Sequence, residues 1–240
     1  MGEEDDRKDT LTGIIVNQGG SFSGGRNGQA AAPCGELTPE GTAVCMALFK
    51  KVYLGLTMGE SFRFPVIVGS DQQGRAWTGS YSIIADGPRL FEGRQLTRAR
   101  EVMTLKANGG IPVISISTKY FEPDDSGVYK ILFNSGVSYN PVSQCTLPSS
   151  PRVGDRGTLG TFQGSDGSTV TVSWALKGAL HGHSVLEVSS EVTGDTETSR
   201  EVDSYLLDPT GVPATITLRA TSMDTTVTLS GDRAQDGKEG

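Results

Sequence analysis

From Ser61 to Ser230 apolar and polar residues alternate at period two, in short runs rich in β-branched and aromatic side chains separated by Gly, Pro, Asn, Asp and Ser. This pattern predicts strands over 61–68, 77–85, 101–107, 113–121, 127–134, 157–163, 169–176, 184–193, 201–208, 214–220 and 224–230. Alternation is sharpest in Ile114-Ser115-Ile116-Ser117, in Val170-Thr171-Val172-Ser173-Trp174 and in Ile216-Thr217-Leu218-Arg219. One face of each strand is therefore dry and the other wet, as in antiparallel sheets with one side in solvent. The connections are short enough for hairpins and leave no room for crossover helices.

The chain before residue 61 reads differently. Residues 1–36 form a charged, Gly-rich arm expected to be flexible, although Leu11 to Val16 has strand character. Thr38-Pro39-Glu40 followed by Ala43, Val44, Met46, Ala47, Leu48, Val52 and Leu56 allows at most one short helix near residues 40–57, whose Val-Tyr-Leu end reads equally as a strand. The polar tail 231–240 is expected to be disordered.

A weak internal echo organises the remainder. Gly69-Ser70-Asp71-Gln72-Gln73-Gly74 precedes a strand bearing Trp77, and Gly164-Ser165-Asp166-Gly167 precedes one bearing Trp174. Tyr120 to Val128, with its Glu-Pro-Asp-Asp-Ser-Gly turn, is echoed by Tyr205 to Val212. The expectation is an all-β fold of antiparallel sheets in two similar sandwich- or barrel-like halves. A first β module would cover 37–145 and a second 146–230, with Pro141, Pro148 and Pro151 stiffening the joint. The spacings of the two copies differ, so duplication with insertions and chance similarity both stay open.

Composition narrows the function classes. The 240 residues include 32 Gly and are 35% hydrophobic, and no apolar run approaches the roughly 20 residues of a membrane-spanning helix. A net charge of −7 argues against nucleic acid as a partner, because phosphate binding draws on clustered Lys and Arg. The densest basic group, Arg89, Arg94, Arg98 and Arg100, is interrupted by Glu92 and Glu101 and reads as a solvated strand edge. Cys34 and Cys45 flank a loop containing Gly35, Pro39 and Gly41, so a disulfide between them is geometrically easy in an oxidising compartment. Cys145 is then unpaired, or is the alternative partner of either; all three pairings stay open. Met1-Gly2-Glu3-Glu4-Asp5-Asp6 is the opposite of a signal peptide, so an exported form is expected to have lost its signal already.

Chemistry-bearing residues are sparse. His181 and His183 are spaced to offer two nitrogens to zinc or copper, or to serve a hydrolase, but Lys177-Gly178-Ala179-Leu180-His181-Gly182-His183 also reads as a polar hairpin tip. Glu122, Asp124 and Asp125 cluster as in a calcium or glycosidase site, against standard turn chemistry. Trp77, Tyr81, Trp174 and Tyr205 are either a stacking platform for sugars or core. No nucleophile elbow and no phosphate-cradling Gly loop occurs. The expectation is therefore no cofactor, no catalytic residue and no metal beyond the weak candidates His181, His183, Asp124 and Asp125, with Trp77 and Trp174 as weak ligand-binding candidates.

The order of a Gly-Ser-Asp turn, Trp77-Thr78-Gly79-Ser80-Tyr81-Ser82, Leu90-Phe91-Glu92-Gly93-Arg94-Gln95, Tyr120-Phe121 with an acidic turn, Pro148, and Val153-Gly154-Asp155-Arg156-Gly157-Thr158-Leu159-Gly160 resembles uncharacterised exported proteins of Gram-negative bacteria, often predicted lipoproteins. The resemblance implies an extracytoplasmic setting and carries no activity. The expected function is a non-enzymatic envelope or cell-surface protein with a structural, assembly or binding role, partnered by other chains or by itself through strand addition from the N-terminal arm. A carbohydrate-binding module recognising glycans, a hydrolase using His181 or His183, and a virion surface protein are the alternatives.

Overall fold

The computed structural model describes residues 35–36, 41–46, 49–50, 57–58, 60–123, 127–145, 148, 150–194, 198–223 and 225–234. Three two-residue strands come first: β1 (Gly35–Glu36), β2 (Phe49–Lys50) and β3 (Thr57–Met58). Twelve long strands follow: β4 (Phe62–Asp71), β5 (Ala76–Phe91), β6 (Arg94–Ala107), β7 (Val113–Phe121), β8 (Val128–Phe133), β9 (Ser138–Gln144), β10 (Arg156–Gly164), β11 (Thr169–Gly178), β12 (Ser184–Thr193), β13 (Thr198–Leu207), β14 (Pro213–Ser222) and β15 (Thr225–Asp232). Each pairs antiparallel with the next, and the β15–β4 ladder closes the ring into a 12-strand barrel. The all-β antiparallel class read from the alternation is thus the observed one. Strands β4–β9 and β10–β15, from the two expected modules, line a single lumen.

The described part of residues 40–57 contains no helix. Ala43 bridges Arg152, and Phe49–Lys50 pairs with Thr57–Met58. Period two explains this: Val44 and Met46 are buried while Cys45 between them is exposed. Pro141, expected in a stiff joint because proline argues against a strand, lies instead within β9. The chain tolerates it there because the β9–β10 register shifts at the Phe162–Pro141 pair, and a bulge does not need the missing N–H. Strands β5 and β6 are longer than the alternation implied, because a bulge between Ala85 and Gly87 lets the ladder continue to Phe91 and Arg94.

The Gly-Ser-Asp turns are structural. The buried Asp71 carboxylate accepts from the Gln73 and Arg75 backbone N–H groups, from Arg75 Nε at 2.9 Å and from Trp77 Nε1 at 3.3 Å. Asp166 Oδ1 accepts from Ser168 N and Oγ, and Asp208 Oδ1 from Thr210 N, Thr210 Oγ1 and Val212 N. The echoed aromatics fall on corresponding strands but not in equivalent places. Trp77 pairs with Gly69 beside its turn, whereas Trp174 pairs with Gly157 far along β10 from Gly164. Tyr205 points into the barrel; Tyr120 stacks outside it on Phe91 at 3.9 Å.

Inward positions form one hydrophobic core that includes Phe62, Phe64, Ile67, Phe162, Leu176, Leu186 and Leu207, each contributing about 1.5–3 kcal/mol through burial. One end of the barrel is covered by the segment carrying Val44, Met46 and Phe49. Val44 N donates to Pro151 O and Val153 N to Thr42 O, both at 2.8 Å. The Phe49 ring meets Tyr205 edge-on at 5.8 Å.

The cysteine pairing differs from the easy short loop. Cys145 is disulfide-bonded and Cys45 is free, its Sγ 3.0 Å from Thr210 O, so the leftover thiol is Cys45 and no Cys34–Cys45 bond forms. Cys34 itself lies outside the described residues. Short β1, directly after it, pairs with Arg156–Gly157, on the side of β10 along which β9 runs until Gln144. Covering the end of the barrel draws Cys45 onto Thr210, away from that edge.

Candidate functional site in the barrel lumen

Cross-strand partners share a face, so the register places charged residues among the inward ones. On β6, Glu101 lies between Ile83 and Ser117. Its Oε1 is 2.5 Å from Lys119 Nζ, and its Oε2 accepts from Ser117 Oγ at 3.0 Å. On β13, Glu201 and Asp203 alternate with inward Tyr205 and Leu207. Tyr205 Oη is 3.2 Å from Tyr81 Oη of β5, joining the two sides of the cluster.

Protein surrounds Glu201 and Asp203, yet both keep some accessible surface, as side chains facing a lumen do. The inward residues Met103, Ser115, Ser190 and Ala220 behave alike. Burial is the main cause that raises Glu201 from its usual 4.5 to about 7; the Glu101 charge adds to it and Lys119 opposes it. Asp203 is raised well above the carboxylate range by burial and by Glu201 and Glu101. Burial likewise pushes both phenols, Tyr81 and Tyr205, well above 10.0.

Two polar atoms in one row have no hydrogen-bond partner. The register aligns Trp174, Val188, Asp203 and Leu218 across β11 to β14, and both Trp174 Nε1 and Asp203 Oδ1 are buried and unpaired. Native interiors satisfy nearly all such groups, so an unpaired donor and an unpaired acceptor in one inward row stand out. Chemically, the lumen offers carboxyls, a buried indole N–H and an apolar wall.

The residues singled out in the sequence do not assemble elsewhere. His181 is exposed, at φ 58 in the Leu180–Gly182 turn, and His183 Nδ1 is buried without a partner; neither joins a serine or a metal trio among the described residues. Glu187 pairs with Lys177 at 2.5 Å instead of serving them. Asp124 and Asp125 lie outside the described residues, while Glu122 meets Arg94 at 3.0 Å. Trp77 and Trp174 are buried and inward, with Tyr81 and Tyr205, so the four form no exposed platform. Of the arginine group, Arg98 and Arg100 pair with Asp86 at 3.0 Å and 2.6 Å, and Arg94 with Glu122.

Glu101, expected on a solvated strand edge among the arginines, faces inward instead, and Lys119, Glu201 and Asp203 are each unremarkable in the sequence alone. Parity with Tyr205 and Leu207 was the available signal, since it puts two acids of Glu201-Val202-Asp203-Ser204-Tyr205 on the dry face. The outward face carries hydroxyl ladders such as Thr217–Ser230 and Thr221–Thr226, with Arg200, Glu191 and Arg219 among them. No described helix is long and apolar enough to cross a membrane. The chain matches no protein-family model, no curated protein and no solved structure.

Proposed function

We propose that this is a non-enzymatic, extracytoplasmic envelope protein with a binding role, whose barrel lumen holds a small organic molecule. The observation that carries the reading is the row in which Trp174 Nε1 and Asp203 Oδ1 stand unpaired inside a closed barrel. Eight strands already suffice to hold one small ligand, and twelve enclose a wider space. Closure also supports binding in the lumen over strand addition, because it pairs the edges that addition would use. The disulfide at Cys145 supports an oxidising compartment.

An uncharged environment-sensitive dye, N-phenylnaphthylamine, tests this. Its fluorescence should rise on binding, with energy transfer from tryptophan. Ser190→Phe, which fills the lumen from β12, should abolish the signal while leaving the circular dichroism unchanged. A dye that does not bind, or one that binds Ser190→Phe equally, would overturn the reading.

A further inference from the structure

We infer that the lumen binds a small organic cation, an amine-headed amphiphile whose ammonium is held by Asp203 and Glu201 and whose far end accepts a hydrogen bond from Trp174 Nε1–H. This rests on the reading of the lumen as a binding chamber and specifies the chemistry of its occupant.

The groups facing Asp203 decide the charge. Tyr81 comes from β5, Glu101 from β6, Lys119 from β7, and Glu201 and Tyr205 from β13 itself; the flanking β12 and β14 present Val188, Ser190, Leu218 and Ala220. Lys119 is the cation among them, and Glu101 already engages its ammonium at 2.5 Å. Two carboxyls therefore remain without a basic partner in a low-dielectric space, which repels an anion and favours an ammonium. The tyrosine hydroxyls are occupied with each other. Trp174 and Asp203 lie two strands apart in one row, which sets their backbones roughly 10 Å from one another. Val188 lies between them on β12. An apolar body with a polar group at each end matches that spacing.

An ammonium bound between these acids requires a carboxylate, so binding from neutral solution expels a proton from the Glu201–Asp203 pair to solvent. Affinity for an amine should therefore rise with pH through the titration of Glu201 near about 7. An anionic amphiphile would show the reverse trend, and an alcohol would gain nothing from the change.

Calorimetry with octylamine, octanol and octanoate, at about pH 6 and about pH 8 and in two buffers of different ionisation heat, tests the inference. The expected result is binding of octylamine that is several-fold tighter at the higher pH, with proton release. Asp203→Asn should weaken it roughly tenfold or more. A terminal hydroxyl on the amine should tighten binding, and Trp174→Phe should remove that gain. Octanol or octanoate binding as tightly as octylamine, or octylamine affinity unchanged by pH, would overturn the cation. The wild-type pH comparison decides the matter even if Asp203→Asn fails to fold. Dye binding without octylamine binding would sink this inference alone, whereas no binding of either would sink the chamber reading as well.

Discussion

Tyr81 and Tyr205, on strands four pairings apart around the barrel and 124 residues apart in sequence, hold their hydroxyls 3.2 Å from one another inside it. Phe49 stacks edge-on against the second ring, so one contact links β5, β13 and the segment covering the end of the barrel. Either single Tyr→Phe change leaves one buried hydroxyl without its partner, at a cost of about 1–3 kcal/mol; removing both removes that penalty. Urea unfolding of Tyr81→Phe, Tyr205→Phe and the double variant should therefore show the double to be less destabilised than the sum of the singles. Strict additivity would show that the two hydroxyls do not depend on each other.

Stability should fall as pH rises from acid toward neutral. Glu201 is raised in the folded state from 4.5 to about 7, so the native protein binds more protons than the unfolded chain across that window. The slope of stability with pH is then negative there, and Asp203 acts in the same direction. Asp71, Asp86, Glu92 and Asp208 are lowered instead, and their contribution is lost as pH falls through the acid range. For Asp71 and Asp208 burial works against that lowering, and the hydrogen bonds of their turns outweigh it. A maximum between the two limbs follows. Glu201→Gln should flatten the upper limb, gaining at most about 3 kcal/mol above neutral pH. Denaturant titrations at several pH values check this, and an unchanged upper limb in Glu201→Gln would remove Glu201 as its cause.

Which parts of this molecule the sequence reveals follows from how local each signal is. Alternation through Val170-Thr171-Val172-Ser173-Trp174 depends only on one wet and one dry face, so it was legible, and so were the Asp-centred turns at Asp71, Asp166 and Asp208. Closure was not, because it depends on the β15–β4 ladder between residues more than 150 positions apart in the chain, such as Leu229 and Gly69. The lumen cluster was half legible. Tyr81 and Tyr205 stand out in the sequence as aromatics, whereas Glu201 and Asp203 carry no signal of their own and only register places them beside inward neighbours. The sequence left the three cysteine pairings open because loop length ignores distant contacts such as Gly211, against which the Cys45 backbone is packed.

Gly211 sits at φ +85, and a Cβ there would come within 2.3 Å of the Cys45 carbonyl oxygen. Gly74 has a similar φ of +78 with nothing near its absent side chain. Gly74→Ala should cost only the left-handed backbone, about 1 kcal/mol. Gly211→Ala adds a backbone clash and should cost clearly more, while loosening the covering segment. Thermal melts of the pair, with limited proteolysis reporting on residues near Cys45, check this; equal costs would show that the segment yields freely.

The Glu101–Lys119 pair provides the last test, because its two partners have unequal alternatives. The Lys119 side chain is about one-tenth exposed and its Nζ lies 2.5 Å from Oε1, whereas Oε2 accepts from Ser117. Lys119→Met leaves the Glu101 carboxylate facing Glu201 and Asp203 without its cation, and breaking one side of a buried pair costs about 3–5 kcal/mol. In Lys119→Met/Glu101→Gln the amide keeps the Ser117 hydrogen bond and carries no charge, so most of that loss should return. Unfolding free energies of the two variants decide between this account and one in which Lys119 matters only through its methylene packing. In the second case the double variant would be no more stable than the single.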